Sequence, residues 1–210
     1  MYIRMTDSIL LSLSLPSTNK NILNEEIDEM KQLALTLGYT IQTSLVQNRQ
    51  TVDSSTYFGK GKINTVVNQC NELKYNTLFI NDELDPGHFK RIQKIAGKDL
   101  IIIDRTKLIL DIFNNHAKTV EAKKQIELAA LEYMMPRLVG QWTHLERQMG
   151  GIGGRGGRGE KQIEIDRRLL RKDINKLKKD LKNIEKQRIT QRKSRTGIFK
   201  VALAGYTNAG

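Results

Sequence analysis

Apolar positions along the N-terminal half come in two patterns, short runs and longer stretches at helical spacing. Ile9–Leu15 is an apolar run closed by Pro16, the pattern of a buried strand. Ile22, Ile27, Met30, Leu33, Ala34 and Leu37 then recur at helical spacing, and Gly38 stands where such a helix stops. Tyr39–Val46 predicts a second strand. After a loop, Tyr57-Phe58-Gly59-Lys60-Gly61-Lys62 opens a helix with Ile63, Val66, Val67, Cys70 and Leu73 on its inner face. Thr77–Ile80 predicts a third strand, Pro86–Ala96 a helix begun by proline, and Leu100–Ile103 a fourth strand. Strands alternating with helices at this spacing predict an α/β subdomain with a small parallel sheet over residues 1–116.

The rhythm then changes. From Lys118 to Met149 no strand pattern occurs, and Leu131, Met135, Leu138, Trp142, Leu145 and Met149 recur at steps of 4, 3, 4, 3 and 4. Ile163, Leu170, Ile174, Leu177, Leu181 and Ile184 repeat that rhythm. A mean step of about 3.5 residues marks a coiled-coil-like seam. Each helix has one apolar stripe to bury, so residues 117–196 are expected to form an antiparallel helical hairpin. Pro136 removes a backbone donor and is expected to break or kink the first helix near Met135. Trp142 lies on the seam, where packing explains it.

At the hairpin tip, Gly150–Gly159 holds seven glycines and two arginines in ten residues. Glycine allows close backbone approach, and arginine offers a planar fork to phosphate. A plain linker between two helices needs neither arginine, so the tip is read as a basic finger suited to an RNA cavity.

Charge supports that reading. The net charge is +12, yet residues 1–150 carry 18 Lys/Arg against 17 Asp/Glu, while residues 151–210 carry 17 against 6. So local an excess points to a polyanionic partner. Arg155, Arg158, Lys161, Arg167, Arg168 and Arg171 are the candidate RNA contacts, within a cationic run that continues through Lys172, Lys176, Lys178, Lys179, Lys182, Lys186, Arg188, Arg192, Lys193 and Arg195. Lys60 and Lys62, beside the helix entry at Tyr57–Lys62, either meet a phosphate or flank a tight strand-to-helix connection.

Other chemistry is sparse. His88, His116 and His144 have no metal-like spacing with one another or with Cys70, and no catalytic constellation stands out; Asp104-Arg105 reads as ordering a loop. One cysteine excludes an intramolecular disulfide and suits a reducing compartment. No apolar run approaches the roughly 20 residues of a membrane span. Met1–Asp7 lacks a signal-peptide pattern, so the cytoplasm is the expected location.

The chain closes on Val201-Ala202-Leu203-Ala204, then Gly205, Tyr206, Thr207, Asn208, Ala209 and Gly210: an apolar strand followed by G-x-x-x-x-G, the start of a phosphate-binding loop. Taken in order, five motifs stand along the chain. They are Thr56–Lys62, Ile103–Thr106 through Leu110–Phe113, Pro136-Arg137-Leu138 before Trp142–Leu145, the glycine loop running into Gly159–Arg168, and Gly205–Gly210. Together they resemble the HflX family of ribosome-associated GTPases from about Ser8 to Gly210.

The resemblance implies an α/β N-terminal subdomain, a long helical hairpin, and a Ras-like G domain beginning at residues 197–210. It implies GTP and Mg²⁺ as cofactors, the large (50S) ribosomal subunit and its rRNA as partners, and splitting or rescue of ribosomes as the task. The hairpin tip is expected to point toward the peptidyl transferase centre. Some members bind ATP through the N-terminal part. Two departures stand out. Gly157-Arg158-Gly159 replaces the proline that often follows the family's Gly-Arg-Gly segment, and the loop's Lys and Ser/Thr, the switch regions and the Mg²⁺-binding Asp would lie past Gly210. These 210 residues are therefore expected to be monomeric and to bind GTP and Mg²⁺ poorly, without GTPase activity of their own. Two rival readings are nucleotide binding or hydrolysis by the α/β subdomain itself, and a hairpin that serves protein–protein contact.

Overall fold

The central strand β1 (Thr6–Ser14) sets the architecture of the computed structural model, which describes residues 6–137 and 158–193, with side chains of the second span from 164 to 191. From Ser8 to Ser14 every residue of β1 is buried, so the strand must be covered on both faces and paired on both edges. It pairs in parallel with β2 (Tyr39–Asn48) and β3 (Thr77–Ile80), and β3 pairs with β4 (Ile101–Asp104), giving the order β2-β1-β3-β4. Parallel neighbours need crossover connections, and α1 (Lys20–Thr36), α2 (Lys60–Glu72) and α3 (Pro86–Ala96) supply them.

Alternate side chains of the sheet feed two cores. Ile9, Leu11, Leu13, Leu78 and Ile80 pack with Phe58, Ile63, Val66, Cys70, Phe89 and Ile92 from the α2/α3 side. Leu10, Phe79 and Ile103 pack with Leu23, Ile27, Met30 and Ala34 of α1 and with Leu108 of α4 (Arg105–His116). The α/β fold with a small parallel sheet is thus as expected from the sequence.

Several details differ from that expectation. Leu23, not Ile22, faces the core; Ile22 is 53% exposed. Leu73 caps α2 from outside and is exposed rather than inward. Asp104-Arg105 does more than order a loop: Asp104 accepts from the Leu84 N–H of the β3–α3 loop at 3.3 Å and also caps α4, its carboxylate accepting from the Lys107 N–H at 2.8 Å. Gly38 does end α1, at φ +83°, a conformation that side-chain-bearing residues rarely adopt.

Past α4 the chain turns back through α5 (Val120–Met134), which packs along α4 and returns its C-terminal end to Asp104. Pro136 stops α5, and Met135–Arg137 form one 3-10 turn. Arg158–Lys193 form a single long helix, α6, of 36 residues, about 54 Å at 1.5 Å per residue. The seam positions Leu138, Trp142, Leu145 and Met149, the side chain of Ile163, and the segment 197–210 lie outside the described residues.

Truncating the fully buried Leu11 to alanine should cost about 2–5 kcal/mol, whereas Leu73→Ala at an exposed site should stay within about 0.5 kcal/mol. Urea unfolding of the two variants reads this directly, and equal losses would contradict the assigned faces.

Candidate nucleic-acid interface and the joint beneath it

Helix α6 has one side to bury. Ile174 and Leu177 are buried and Leu170, Leu181 and Ile184 half-buried, all on the side that packs against α5. Among the described residues, three ion pairs flank that contact: Lys178 to Glu132 at 2.7 Å, Lys124 to Asp180 at 2.5 Å, and Arg188 to Glu121 at 2.5 Å. Partner numbers fall along α6 as they rise along α5, so the helices run antiparallel. The Asp180 carboxyl is held below its ordinary range, chiefly by the hydrogen bond from Lys124. Asp166, Asp173 and Asp180 recur along one flank of the seam, seven residues apart.

With its seam fixed, the outward face of α6 is fixed too. At about 100° per residue, Arg168, Lys172, Lys179 and Lys186 fall within about 20° of the line opposite the seam, and Lys182 about 60° from it. All five are exposed. They span 19 residues, about 27 Å of helix. The lysine and arginine at 178 and 188 are engaged with α5, whereas this stripe points away from the protein.

Where α5 ends, four parts of the chain converge on one carboxylate. Asp104 is fully buried and accepts from the Tyr133 hydroxyl at 2.8 Å and from the Leu84 N–H at 3.3 Å, besides capping α4. Arg137, 5% exposed, lies over the Tyr133 ring with its Cζ 3.7 Å from the centroid. Its fork donates to the Tyr133 carbonyl at 2.9 Å and to the Leu84 carbonyl, with one Nη 3.7 Å from Asp104. Burial first, and the Asp104 charge second, push the Tyr133 hydroxyl above its ordinary range, so it stays a donor.

Residues 24–114 match the family model described as GTP-binding GTPase N-terminal, and residues 116–195 match GTP-binding GTPase Middle Region. The GTPase HflX of Magnetococcus marinus is 42% identical over 97% of this chain and 47% of its own length. That of Escherichia coli is 38% identical over 89% of this chain and 43% of its own. This chain belongs to the HflX family.

The chain spans about half the length of the curated HflX relatives it matches. Among solved structures it superimposes on SsGBP in complex with GDP at a TM-score of 0.62, with 24% identity over 95% of this chain and 49% of the other. It likewise superimposes on a GTP-binding protein of Sulfolobus solfataricus in complex with GDP, at a TM-score of 0.57, 24% identity and 86% and 46% coverage. Both likenesses concern the fold.

Of the RNA-contact candidates read from the sequence, Arg168 and Arg171 are exposed on α6, while Arg167 is half-buried. Arg158 and Lys161 lie in the first turns of α6, their side chains outside the described residues; Arg155 and Gly205–Gly210 lie outside them altogether. Sequence reading missed Asp104, Tyr133 and Arg137 as a unit. The one local signal was an aspartate directly before Arg105-Thr106-Lys107, the residue type that caps helices.

At the other candidate, Tyr57–Lys62, Gly59 takes φ +94° and serves as the first cap of α2 without a side chain. Arg49 crosses it, donating to the Phe58 carbonyl at 3.2 Å and the Thr51 carbonyl at 3.1 Å. Lys60 is exposed and Lys62 half-buried. A groove of about 780 Å³ opens beside this loop, at the carboxyl ends of β1 and β2, lined by Ser14, Thr18, Lys20, Asn48, Arg49 and Thr51 among others. Among the described residues no group of three His, Cys, Asp or Glu side chains is placed to hold a metal ion. No described helix is long and apolar enough to cross a membrane.

A Cβ at position 59 would lie 2.5 Å from an Arg49 Nη. Strained backbone of this kind costs about 1–3 kcal/mol. Gly59→Ala should lower stability by that amount in thermal unfolding, and Gly61→Ala, with open space around it, should not.

Proposed function

We propose that this chain is the ribosome-gripping part of an HflX-type GTP-binding protein of the cytoplasm. The α5–α6 hairpin docks on rRNA of the large subunit, with the stripe Arg168, Lys172, Lys179, Lys182 and Lys186 meeting backbone phosphates and the tip Gly150–Gly159 reaching inward. Gly205–Gly210 begins the loop that would cradle the phosphates of GTP through successive backbone N–H groups. GTP with Mg²⁺ would be held by a G domain that follows, and binding and hydrolysis there would time attachment to the subunit and its splitting or rescue.

The observation that carries this reading is the sorting of charge on α6. Its cations oppose the seam in an exposed row, while Asp166, Asp173 and Asp180 recur along one flank of the seam, with Asp180 paired to Lys124 of α5. A helix needing only solubility has no reason to segregate the signs so cleanly along about 27 Å. A protein partner would favour aromatic and apolar contacts at the centre of its interface, and a row of lysines fits a phosphate backbone better. Such contacts position a protein on RNA without reading its sequence.

Phosphate contacts release counterions, so affinity falls with salt by about 0.7–0.9 in log–log slope per contact. Replacing Lys172, Lys179, Lys182 and Lys186 together with glutamine should make the slope for large-subunit binding shallower by about 3. Sedimentation with purified subunits across a salt series measures it. A slope unchanged by the four substitutions would overturn the assignment of the stripe.

A further inference from the structure

The hairpin leaves the body of the protein at one place. Helix α5 packs on α4, the 3-10 turn packs on α3, and α6 rests on α5. The α5–α6 ion pairs occupy residues 178–188 of α6, so its part before Ile174 runs on past Arg137 toward the tip. Arg137 is thus the last described residue of the outgoing arm of the hairpin, and it is bolted inward rather than facing solvent.

We infer that Asp104, Tyr133 and Arg137 form a positioning joint that sets the direction in which the hairpin tip projects from the α/β body. The geometry is that of a clamp. Arg137 is held from two sides, by its own helix through the Tyr133 carbonyl and ring and by the β3–α3 loop through the Leu84 carbonyl. Tyr133 ties α5 to the end of β4, and Asp104 adds the start of α4. Rotation of the hairpin about the Met135–Arg137 turn would break the fork, the ring contact and the Tyr133–Asp104 hydrogen bond together. Arg137 Nε is buried and meets no acceptor among the described residues, so the guanidinium is held by its two Nη donors and the ring. A buried pair of this kind is weak evidence for stability, and its best-attested use is to specify one arrangement over others. None of the three groups faces the cationic stripe, so the joint acts on docking only through direction.

This inference rests on the docking reading above, and its test separates the two. Nitroxides placed at Asn68→Cys on α2 and Glu164→Cys on α6, both exposed, with the buried Cys70 changed to alanine, report the hairpin's direction by pulsed dipolar spectroscopy of the full chain. Arg137→Met and Tyr133→Phe should each broaden the distance distribution while far-UV circular dichroism stays unchanged, and Arg137→Lys should restore it in part. If the competent direction falls to a tenth of the population, affinity for the large subunit drops about tenfold with its salt slope unaltered. An unchanged distance distribution in both variants overturns the joint, even if unfolding midpoints fall. Should Arg137→Met not fold, Tyr133→Phe, which removes one hydroxyl and keeps the ring, decides alone. Broadening in the two variants of a parent chain that itself does not bind the subunit would uphold the joint and reject the docking reading instead.

Discussion

The carboxylate of Asp104 holds the two parts of this molecule to each other. It closes β4, caps α4, accepts from a backbone N–H of the β3–α3 loop, and receives the hydroxyl of a tyrosine from α5, with Arg137 beside it. Burying a charge is costly unless every lone pair finds a donor, and here several donors converge. Losing one partner of such a pair costs about 3–5 kcal/mol because the other charge is left stranded, although the intact pair adds little net stability. The network therefore resists partial rearrangement. Its consequence is geometric, since α5 cannot tilt without disturbing the end of the sheet.

That constraint divides the labour between the halves. The sheet, covered on both faces and stiffened by the burial of every residue from Ile9 to Leu13 along β1, is a rigid base. Among the described residues the α5–α6 contact is ordered by an apolar seam flanked by three ion pairs, and a helix with one buried stripe must present its remaining surface to water or to a partner. On α6 that surface is cationic. Surface ion pairs of the Lys178–Glu132 kind contribute little energy, but they take up some of the basic side chains and leave others facing outward. Fold and function meet at this point: the seam that pairs the helices also determines which lysines point away.

How much of this was legible in the sequence follows from the range of the forces involved. β3 and α3 are bounded by local signals, a β-branched and aromatic run in one case and Asp85-Pro86 in the other, and both were read with their observed limits. The neighbours Ile22 and Leu23 are both apolar, so the phase of α1 was ambiguous until Leu10 and Phe79 chose Leu23. Helix α4 was hidden because Leu108-Ile109-Leu110 is a continuous apolar run without helical period. The cations of α6 looked like a halo around the helix. The seam from Ile163 to Ile184 already carried the phase that separates Lys178 from Lys179, and the burial of Ile174 and Leu177 agrees with it. Leu84, Asp104 and Arg137 lie up to 53 residues apart, and no periodicity connects them.

The claim on which the rest turns is that the outward row of α6 lies against RNA. Photo-crosslinking tests it most directly, with a light-activated residue placed in turn at Lys179, in the row, and at Leu35, exposed on α1. On incubation with large ribosomal subunits, position 179 should yield covalent adducts to rRNA and position 35 should yield few or none. Adducts to ribosomal proteins alone from position 179, or equal rRNA adducts from both positions, would contradict the account.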